Sequence, residues 1–210
     1  MRERRFGPRE LYAGSRFLAP LSEEALLEAG RAAKLREGAT LLEVGAGNGC
    51  AAIFLAEEYH LYVRGVEADP ELLELARANA LKSPARQRLR FSPPDTLGPV
   101  DYVAALRVPF LPGPALLRPG GRLLLGRFVA PEALGFPLAS VPPGGVVWRR
   151  DATPLEWERF LAPLEIALGA HRAEARPGAA SPLAETAGRQ IAAFRAHAAA
   201  VRYELTVAEA

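Results

Sequence analysis

Three glycines alternate with other residues directly after an apolar run near the start of the chain. Gly45, Gly47 and Gly49 follow the run Thr40–Val44, and a carboxylate, Glu67, follows the next apolar run. Glycines after a strand let backbone N–H groups approach a ligand closely, and an acid after the second strand of such a unit binds ribose hydroxyls. The spacing predicts a nucleotide-like ligand held over the carboxyl ends of parallel strands.

The spacing of the glycines separates two classes of ligand. A dinucleotide fingerprint is G-x-G-x-x-G, whose third glycine lets the following helix pack closely on the strand. Here the third glycine comes one position early, at Gly49, and Cys50 occupies the position that the fingerprint reserves for glycine. The pattern therefore disfavours an NAD-binding dehydrogenase. A tight turn without a ligand is the simplest alternative, although one glycine would suffice for it.

With Glu43 in front of the loop, the motif becomes E-x-G-x-G-x-G. It resembles the first motif of the class I S-adenosylmethionine-dependent methyltransferases. Residues 91–95 are similar to the third motif of that family, and residues 116–124 are similar to its L-x-P-G-G-x-L entry to the fifth strand. The resemblance covers residues 40–128. It implies a Rossmann-like fold and S-adenosylmethionine as cofactor, with S-adenosylhomocysteine as product.

The same resemblance implies cofactor contacts residue by residue. Glu67 is expected to bind both ribose hydroxyls, Asp95 to meet the adenine amino group, and Asp101 to have a structural role in the fourth strand. The expected cofactor-binding residues are Tyr12, Glu43, Gly45, Ala46, Gly47, Asn48, Gly49, Glu67, Ala68, Asp95, Thr96, Leu106 and Arg107. No catalytic residue is assigned, because the sulfonium is already an activated electrophile and the enzyme mainly aligns the reactants.

Residues 106–110, which follow the predicted fourth strand, bear on the methyl acceptor. Their sequence is LRVPF, whereas nucleic-acid amino-methyltransferases carry an N-P-P-Y-like motif here. Methylation of cytosine C5 needs a cysteine nucleophile in this region and arsenite methylation needs several thiols, but the single cysteine is Cys50 in the glycine loop. These features favour direct in-line transfer to a small molecule. The alternatives are an RNA or protein acceptor, or a protein that binds S-adenosylmethionine without turnover.

Several side chains keep two interpretations. Arg107 either faces the ligand and pairs with an anionic acceptor or the cofactor carboxylate, or it is a solvent-facing arginine. Trp148 and Trp157 either wall an acceptor pocket or fill a hydrophobic seam. His171 and His197 either reach over the site or have no role in it.

The composition is typical of an ordinary soluble enzyme. The chain has 210 residues, is 50% apolar and carries a formal net charge of +2, so charge alone does not predict binding to nucleic acid. A single cysteine argues against a disulfide framework or a cysteine-based metal site, and no metal is expected. The chain shows no membrane-length apolar run and no signal-peptide pattern, which predicts a cytoplasmic protein. Abundant Arg, Ala, Leu, Pro and Gly indicate a bacterial source.

A cluster of basic residues lies at the predicted third strand. Arg86, Arg88 and Arg90 alternate, which on a strand would place them on one face and create a candidate phosphate-binding groove. No aromatic residues interleave with them, and solvated edge arginines are the commoner outcome. Nucleic acid is therefore the less favoured partner.

The elements that must position these residues alternate between strand and helix. Strands are predicted at residues 40–44, 62–66, 88–91, 101–106, 122–128, 145–149 and 201–207, and helices at 22–33, 50–58, from Asp69-Pro70 onward, 153–175 and 182–200. The alternation predicts an α/β fold with a single doubly wound, mostly parallel sheet of about seven strands, helices on both faces and an antiparallel last strand. We expect one domain over 1–210, made of N-terminal cap helices (1–38), a cofactor-binding core (39–130) and C-terminal substrate-side helices with the final strand (131–210).

Overall fold

The computed structural model describes residues 6–95, 97–107, 114–130, 145–174 and 181–209. The strands are β1 (Thr40–Val44), β2 (Tyr62–Val66), β3 (Leu89–Ser92), β4 (Val100–Ala105), β5 (Leu117–Val129), β6 (Val146–Asp151) and β7 (Arg202–Glu209). The helices are α1 (Pro8–Leu11), α2 (Glu23–Ala32), α3 (Cys50–Tyr59), α4 (Pro70–Lys82), α5 (Pro154–Glu174) and α6 (Pro182–Ala196). Within these ranges, no helix has the length and apolar character needed to cross a membrane.

The strands form one sheet in the order β3-β2-β1-β4-β5-β7-β6, flanked by helices. Strands β1 to β5 pair in parallel, and β7 is antiparallel to both of its neighbours. The strand order reverses between β1 and β4, because β2 and β3 add to one side of β1 whereas β4 and β5 add to the other. The predicted fold class, with an antiparallel last strand, is confirmed. Open α/β sheets bind ligands at such a switch point.

The central strands are buried on both faces. In β1, Leu41 belongs to the cluster that includes buried residues of α2 and α3, whereas the next residue, Leu42, belongs to a separate cluster with Val103 and Leu125. Successive residues of a strand point to opposite faces, so this alternation is expected for a strand inside an α/β protein. A further cluster joins α1, α5 and α6 around Phe160.

Three helices begin at the residues that the sequence predicts. The hydroxyl oxygens of Ser22 and Ser181 each accept the backbone N–H three residues on, at 3.1 and 3.3 Å. Asp69 Oδ1 accepts the N–H groups two and three residues on, at 2.9 and 3.0 Å. These bonds satisfy N–H groups that have no partner within the helix, and proline follows Asp69 and Ser181 where its missing N–H costs nothing.

Asp101 has the structural role that the family resemblance implies. Its Oδ2 accepts the backbone N–H and the hydroxyl of Thr40, both at 2.7 Å, and Arg118 Nη1 donates to its Oδ1 at 2.9 Å. Burial raises the pKa of Asp101, but the bonds from Thr40 and Arg118 outweigh that effect and hold it at about 2. The carboxylate therefore joins the starts of β1 and β4 at the edge of the sheet opposite their carboxyl ends.

The start of the fifth strand was predicted incorrectly. It begins at Leu117 rather than at Arg122, and residues 118–121 lie inside it as an irregularity. Leu117 pairs with Val100, and the next paired residues are Arg122 and Tyr102. Residues 118–121 therefore bulge out of the ladder, which preserves the register of the buried part of the strand.

The expectation that three arginines share one strand face is also wrong. Arg86 and Arg88 lie in a 3-10 turn, and of the three only Arg90 lies in β3. Ser83 precedes a proline and leaves the helical region, with ψ of 140°, so the chain needs a turn before β3 begins. Arg88 Nη2 donates to a carbonyl of α3 at 3.2 Å. The structure therefore contains no strand face that carries all three cations.

Candidate functional site

A cleft of about 290 Å³ lies at the carboxyl ends of β1 and β4, at the switch point of the sheet. Most of the expected cofactor residues line it, namely Glu43, Gly45, Ala46, Gly47, Asn48, Glu67, Leu106 and Arg107. Its remaining walls are apolar side chains that sequence reasoning missed, namely Phe17, Leu18, Ala19, Leu21, Ala51 and Leu72. Four of these belong to residues 15–21, which we call the strap. Residues 17–21 of the strap are an unbroken apolar run before the cap of α2, and this run is the feature of the sequence that could have predicted the wall.

The glycine loop (residues 45–49) needs its glycines for both conformation and space. Gly45, Gly47 and Gly49 have φ values of 69°, 58° and 76°. A Cβ on Gly47 would lie 2.6 Å from a methyl of Leu18 in the strap, and one on Gly49 would lie 2.8 Å from the ring of Phe91. Positive φ disfavours side chains, and these distances leave no room for one. The loop therefore exposes backbone without side chains both to the strap, at Gly47, and to Phe91, at Gly49.

Replacing Gly49 with alanine is expected to destabilise the fold by about 2–5 kcal/mol. The positive φ costs about 1–2 kcal/mol and the contact with Phe91 adds about 1–3 kcal/mol. Gly38→Ala is the matched control, because Gly38 has the same φ of 76° and nothing within 4 Å of its Cβ position. Urea unfolding of both variants measures the difference. Equal losses of unfolding free energy in the two variants would show that the residues around Gly49 accommodate the added methyl group without destabilising the fold.

Glu67 is held at the end of β2 by two backbone N–H groups. Its Oε2 accepts the N–H of Gly47 at 2.7 Å, and its Oε1 accepts the N–H of Asp69 at 2.9 Å. Each carboxylate oxygen has two lone pairs, so both oxygens can still accept a further bond from a ligand. The residue expected to bind the ribose therefore lies in the cleft with its carboxylate already oriented.

Glu43 is buried beneath the loop, with 3% of its surface exposed. Its Oε2 has no hydrogen-bond partner in the structure. Burial raises the pKa of Glu43 to about 8 and the nearby charge of Glu67 adds to the rise, while a hydrogen bond from the backbone of Ala52 opposes it. A carboxyl group with this pKa is mostly protonated at neutral pH in the absence of a cation.

Asn48 ties the glycine loop to the strap. Its Nδ2 donates to the carbonyl oxygens of Ser15 and Arg16, both at 3.1 Å, and its Oδ1 accepts the N–H of Cys50 at 3.2 Å. Asn48 was expected from the resemblance as a cofactor contact. It lines the cleft, and the bonds described here give it a further role in holding the strap over the loop.

Arg107 lines the cleft at the end of β4, and Tyr12 holds it there. An Nη2 hydrogen of Arg107 is donated to the hydroxyl of Tyr12, and the guanidinium lies 4.8 Å from the centre of the Tyr12 ring. Tyr12 therefore contacts Arg107 and is absent from the cleft walls themselves.

Three other expected cofactor residues are absent from the lining of the cleft. Gly49 is buried at the N-cap of α3, and Ala68 is exposed. Asp95 is exposed and pairs with Arg64. Thr96 lies outside the described residues. Contacts of Ala68, Asp95 and Thr96 with a cofactor therefore stay predictions.

The aromatic and histidine candidates lie away from the cleft. Trp157 packs in an aromatic cluster with Phe128, at 5.9 Å between ring centres, and Trp148 packs partly against the main core. His171 stacks on Phe6 at 4.3 Å, and His197 follows the end of α6. Burial of the two tryptophans against neighbouring elements favours the hydrophobic-seam interpretation.

Comparison with known proteins supports the likeness over part of the chain. No protein-family model matches it. It is 39% identical over 103 residues to protein-L-isoaspartate O-methyltransferase from Methanothrix thermoacetophila, covering 43% of this chain and 48% of that protein. It is 37% identical over 95 residues to ribosomal protein L11 methyltransferase from Dechloromonas aromatica, covering 42% of this chain and 32% of that protein. These matches span less than half the length of either relative.

Solved structures match over nearly the whole chain. A SAM-dependent methyltransferase from Thiobacillus denitrificans, in complex with S-adenosyl-L-homocysteine, superposes with a TM-score of 0.74 at 19% identity, covering 95% of this chain and 96% of that one. YjhP from E. coli superposes with a TM-score of 0.77 at 17% identity, covering 97% and 99%. At these identities the likeness shows the fold. This chain has the fold of the class I S-adenosylmethionine-dependent methyltransferases and is similar to them in sequence.

Proposed function

We propose that this chain binds S-adenosylmethionine and transfers its methyl group to a small-molecule acceptor by direct in-line displacement. The observation that supports this most is the pairing of the glycine loop with Glu67 inside the cleft. Glu67 Oε2 lies 2.7 Å from the N–H of Gly47, so the backbone cradle and the ribose-binding acid form one unit. A tight turn without a ligand would need no acid in this position.

The residues present fit this cofactor. Glu67 would hold the ribose hydroxyls through its remaining lone pairs. Gly47, whose Cβ position is closed by Leu18, presents backbone to the ligand. Glu43 lines the cleft with an unpartnered buried oxygen, which would accept a hydrogen bond from a cationic group of the ligand. Phe17 and Leu72 would supply the apolar surface against which the adenine ring packs.

When bound, S-adenosylmethionine supplies a methyl group on a positively charged sulfur, and the acceptor's lone pair forms the new bond as the carbon–sulfur bond breaks. The protein has to orient the acceptor and exclude water. The strap would contribute to the second task, because its residues Phe17, Leu18 and Ala19 form part of the apolar wall of the cleft. Asn48 holds the strap in that position.

The sequence after β4 supports a small-molecule acceptor, because residues 106–110 lack the N-P-P-Y-like motif of nucleic-acid amino-methyltransferases. The cleft of about 290 Å³ is lined by the residues expected to hold the cofactor, so its volume does not distinguish the acceptors. The names of the two relatives support a second candidate, a protein acceptor. An RNA acceptor is a third, and it would show binding that weakens steeply with salt.

Binding without turnover is the non-enzymatic alternative. The described residues that line the cleft include two acids, Glu43 and Glu67, but no histidine, lysine or cysteine. A neutral acceptor would then lose its proton to water or to a group outside this lining. In-line transfer from a sulfonium tolerates that arrangement. A cytoplasmic location and a bacterial source remain expectations from composition.

Calorimetric titration with S-adenosylmethionine, S-adenosylhomocysteine and NAD tests the proposal. We expect micromolar binding of the first two and none of NAD. Labelled methyl donor is then offered with pools of small metabolites, peptides or RNA, and label is expected in the metabolite pool. Binding of NAD alone, or of no ligand, would overturn the cofactor assignment. Binding without label transfer to any pool would support the non-enzymatic alternative.

A further inference from the structure

Arg107 is the one cationic side chain among the described residues that line the cleft. The acidic side chains there are Glu67 and Glu43, and burial keeps Glu43 mostly protonated at neutral pH. Glu67 lies at the end of β2, and Arg107 follows β4, with β1 between them in the sheet. Neighbouring strands are about 4.8 Å apart, so the strands that carry the acid and the cation lie roughly 10 Å apart in the sheet. The two ends of the cleft therefore have opposite charge.

The guanidinium of Arg107 is half-buried without an acidic partner among the described residues. Its hydrogen bond goes to the neutral hydroxyl of Tyr12, and its face lies 4.8 Å from the centre of that ring. Other arginines that are largely buried here pair with carboxylates: Arg127 with Glu204, and Arg150 with Glu156. Stacking on Tyr12 uses one face of the guanidinium and leaves N–H donors for a planar anion.

The backbone beneath Arg107 is fixed. The buried hydroxyl of Tyr203 donates to the carbonyl oxygen of Leu106 at 2.5 Å. This contact requires Gly126, because a Cβ there would lie 1.9 Å from the Tyr203 hydroxyl. Strand β7 thereby holds the residue before Arg107 in place. A binding group on a rigid base loses little freedom when it takes a ligand.

We propose that Arg107 is a carboxylate-binding residue of the acceptor site, and that the methyl acceptor of this chain is a small molecule carrying a carboxylate. The proposal rests on the proposed function. A carboxylate matches the fork of N–H donors on a guanidinium, which binds it through two parallel bonds. The carboxylate of Glu67 at the other end of the cleft repels the same group, so an acidic acceptor is directed toward β4 and away from the ribose site. A carboxylate on the cofactor itself is the competing source.

The test uses benzoate and benzamide as probes, titrated by calorimetry into protein saturated with S-adenosylhomocysteine. We expect weak binding of benzoate and none of benzamide, and a loss of about 10- to 100-fold in benzoate affinity in Arg107→Gln. Arg107→Lys should retain part of the affinity, because it keeps the charge but loses the fork. Arg90→Gln, which removes an exposed cation of β3, is the matched control and should bind benzoate normally. Thermal melts of each variant verify folding.

The second arm measures the affinity of S-adenosylhomocysteine in the same variants. We expect it to change less than about threefold in Arg107→Gln, since the ribose site is intact. A tenfold or greater loss, with no benzoate binding to the wild type, would show that the cofactor's carboxylate occupies Arg107 and would overturn the assignment. Equal binding of benzoate and benzamide would also overturn it. If the wild type fails to bind S-adenosylhomocysteine, the proposed function fails. Benzoate is then titrated without the cofactor, and binding to the wild type that is lost in Arg107→Gln would still support a carboxylate site.

Discussion

Glu67→Gln is expected to lower the affinity for S-adenosylhomocysteine by about 30- to 150-fold. Charge-assisted hydrogen bonds contribute about 1.5–3 kcal/mol each and neutral ones about 0.5–1.5 kcal/mol, so exchanging a carboxylate for an amide at a ribose diol costs about 2–3 kcal/mol. The loop should persist, because the amide oxygen can still accept the N–H of Gly47, which lies 2.7 Å from Glu67 Oε2, while only the bond from the Asp69 N–H is lost. Calorimetric titration at constant pH and salt measures the change.

Glu74→Gln is the matched control for that variant. Glu74 is exposed on α4, the helix that follows Glu67, and it does not line the cleft. The same change there removes one negative charge outside the cleft. Its affinity for S-adenosylhomocysteine should equal that of the wild type. If the two variants bind equally well, Glu67 does not contact the ligand, and the resemblance will have assigned it the wrong role.

Glu43→Gln is expected to remove a loss of stability that the wild type shows as pH rises. In the unfolded chain the pKa of a glutamate is near its ordinary value of 4.5, whereas burial holds the pKa of folded Glu43 at about 8. Folding therefore takes up a proton between these values. The contribution of Glu43 to stability is complete below pH 4.5, falls as pH rises toward 8 and stays low above it. Each pKa unit is worth about 1.4 kcal/mol, so the difference between variant and wild type should grow by about 3–5 kcal/mol from pH 4.5 to 9.

Thermal unfolding at a series of pH values measures this effect. For a chain of this size 1 kcal/mol corresponds to about 2–4 °C, so the melting temperature of the wild type should fall by roughly 10 °C relative to Glu43→Gln across the range. Glutamine has the shape of a protonated carboxyl group, which keeps the buried site filled. A difference between the two proteins that stays constant with pH would show that Glu43 is ionised in the folded state.

The sequence alone was sufficient for the local parts of the site. The glycine loop and Glu67 lie within one strand-turn-helix-strand unit, and their roles depend on backbone conformation and on where a strand ends. Positive φ at Gly47 and the bond between its N–H and Glu67 both follow from that short stretch of chain. The starts of α2, α4 and α6 were equally local, because an N-cap needs a suitable side chain within three residues of the N–H groups that it accepts.

The tertiary structure decided everything that joins distant segments. Tyr12 and Arg107 are 95 residues apart, and the Tyr203 hydroxyl meets the Leu106 carbonyl across 97 residues. The strap reaches the loop through Asn48, across 33 residues to Ser15. Such contacts follow from how packed elements approach one another, and no periodicity or spacing in the sequence records that approach. The sequence by itself therefore determined the fold class and the expected cofactor loop. Only the packing of the strap, β4 and β7 decided which side chains line the cleft and where Arg107, the one cation among its described residues, lies.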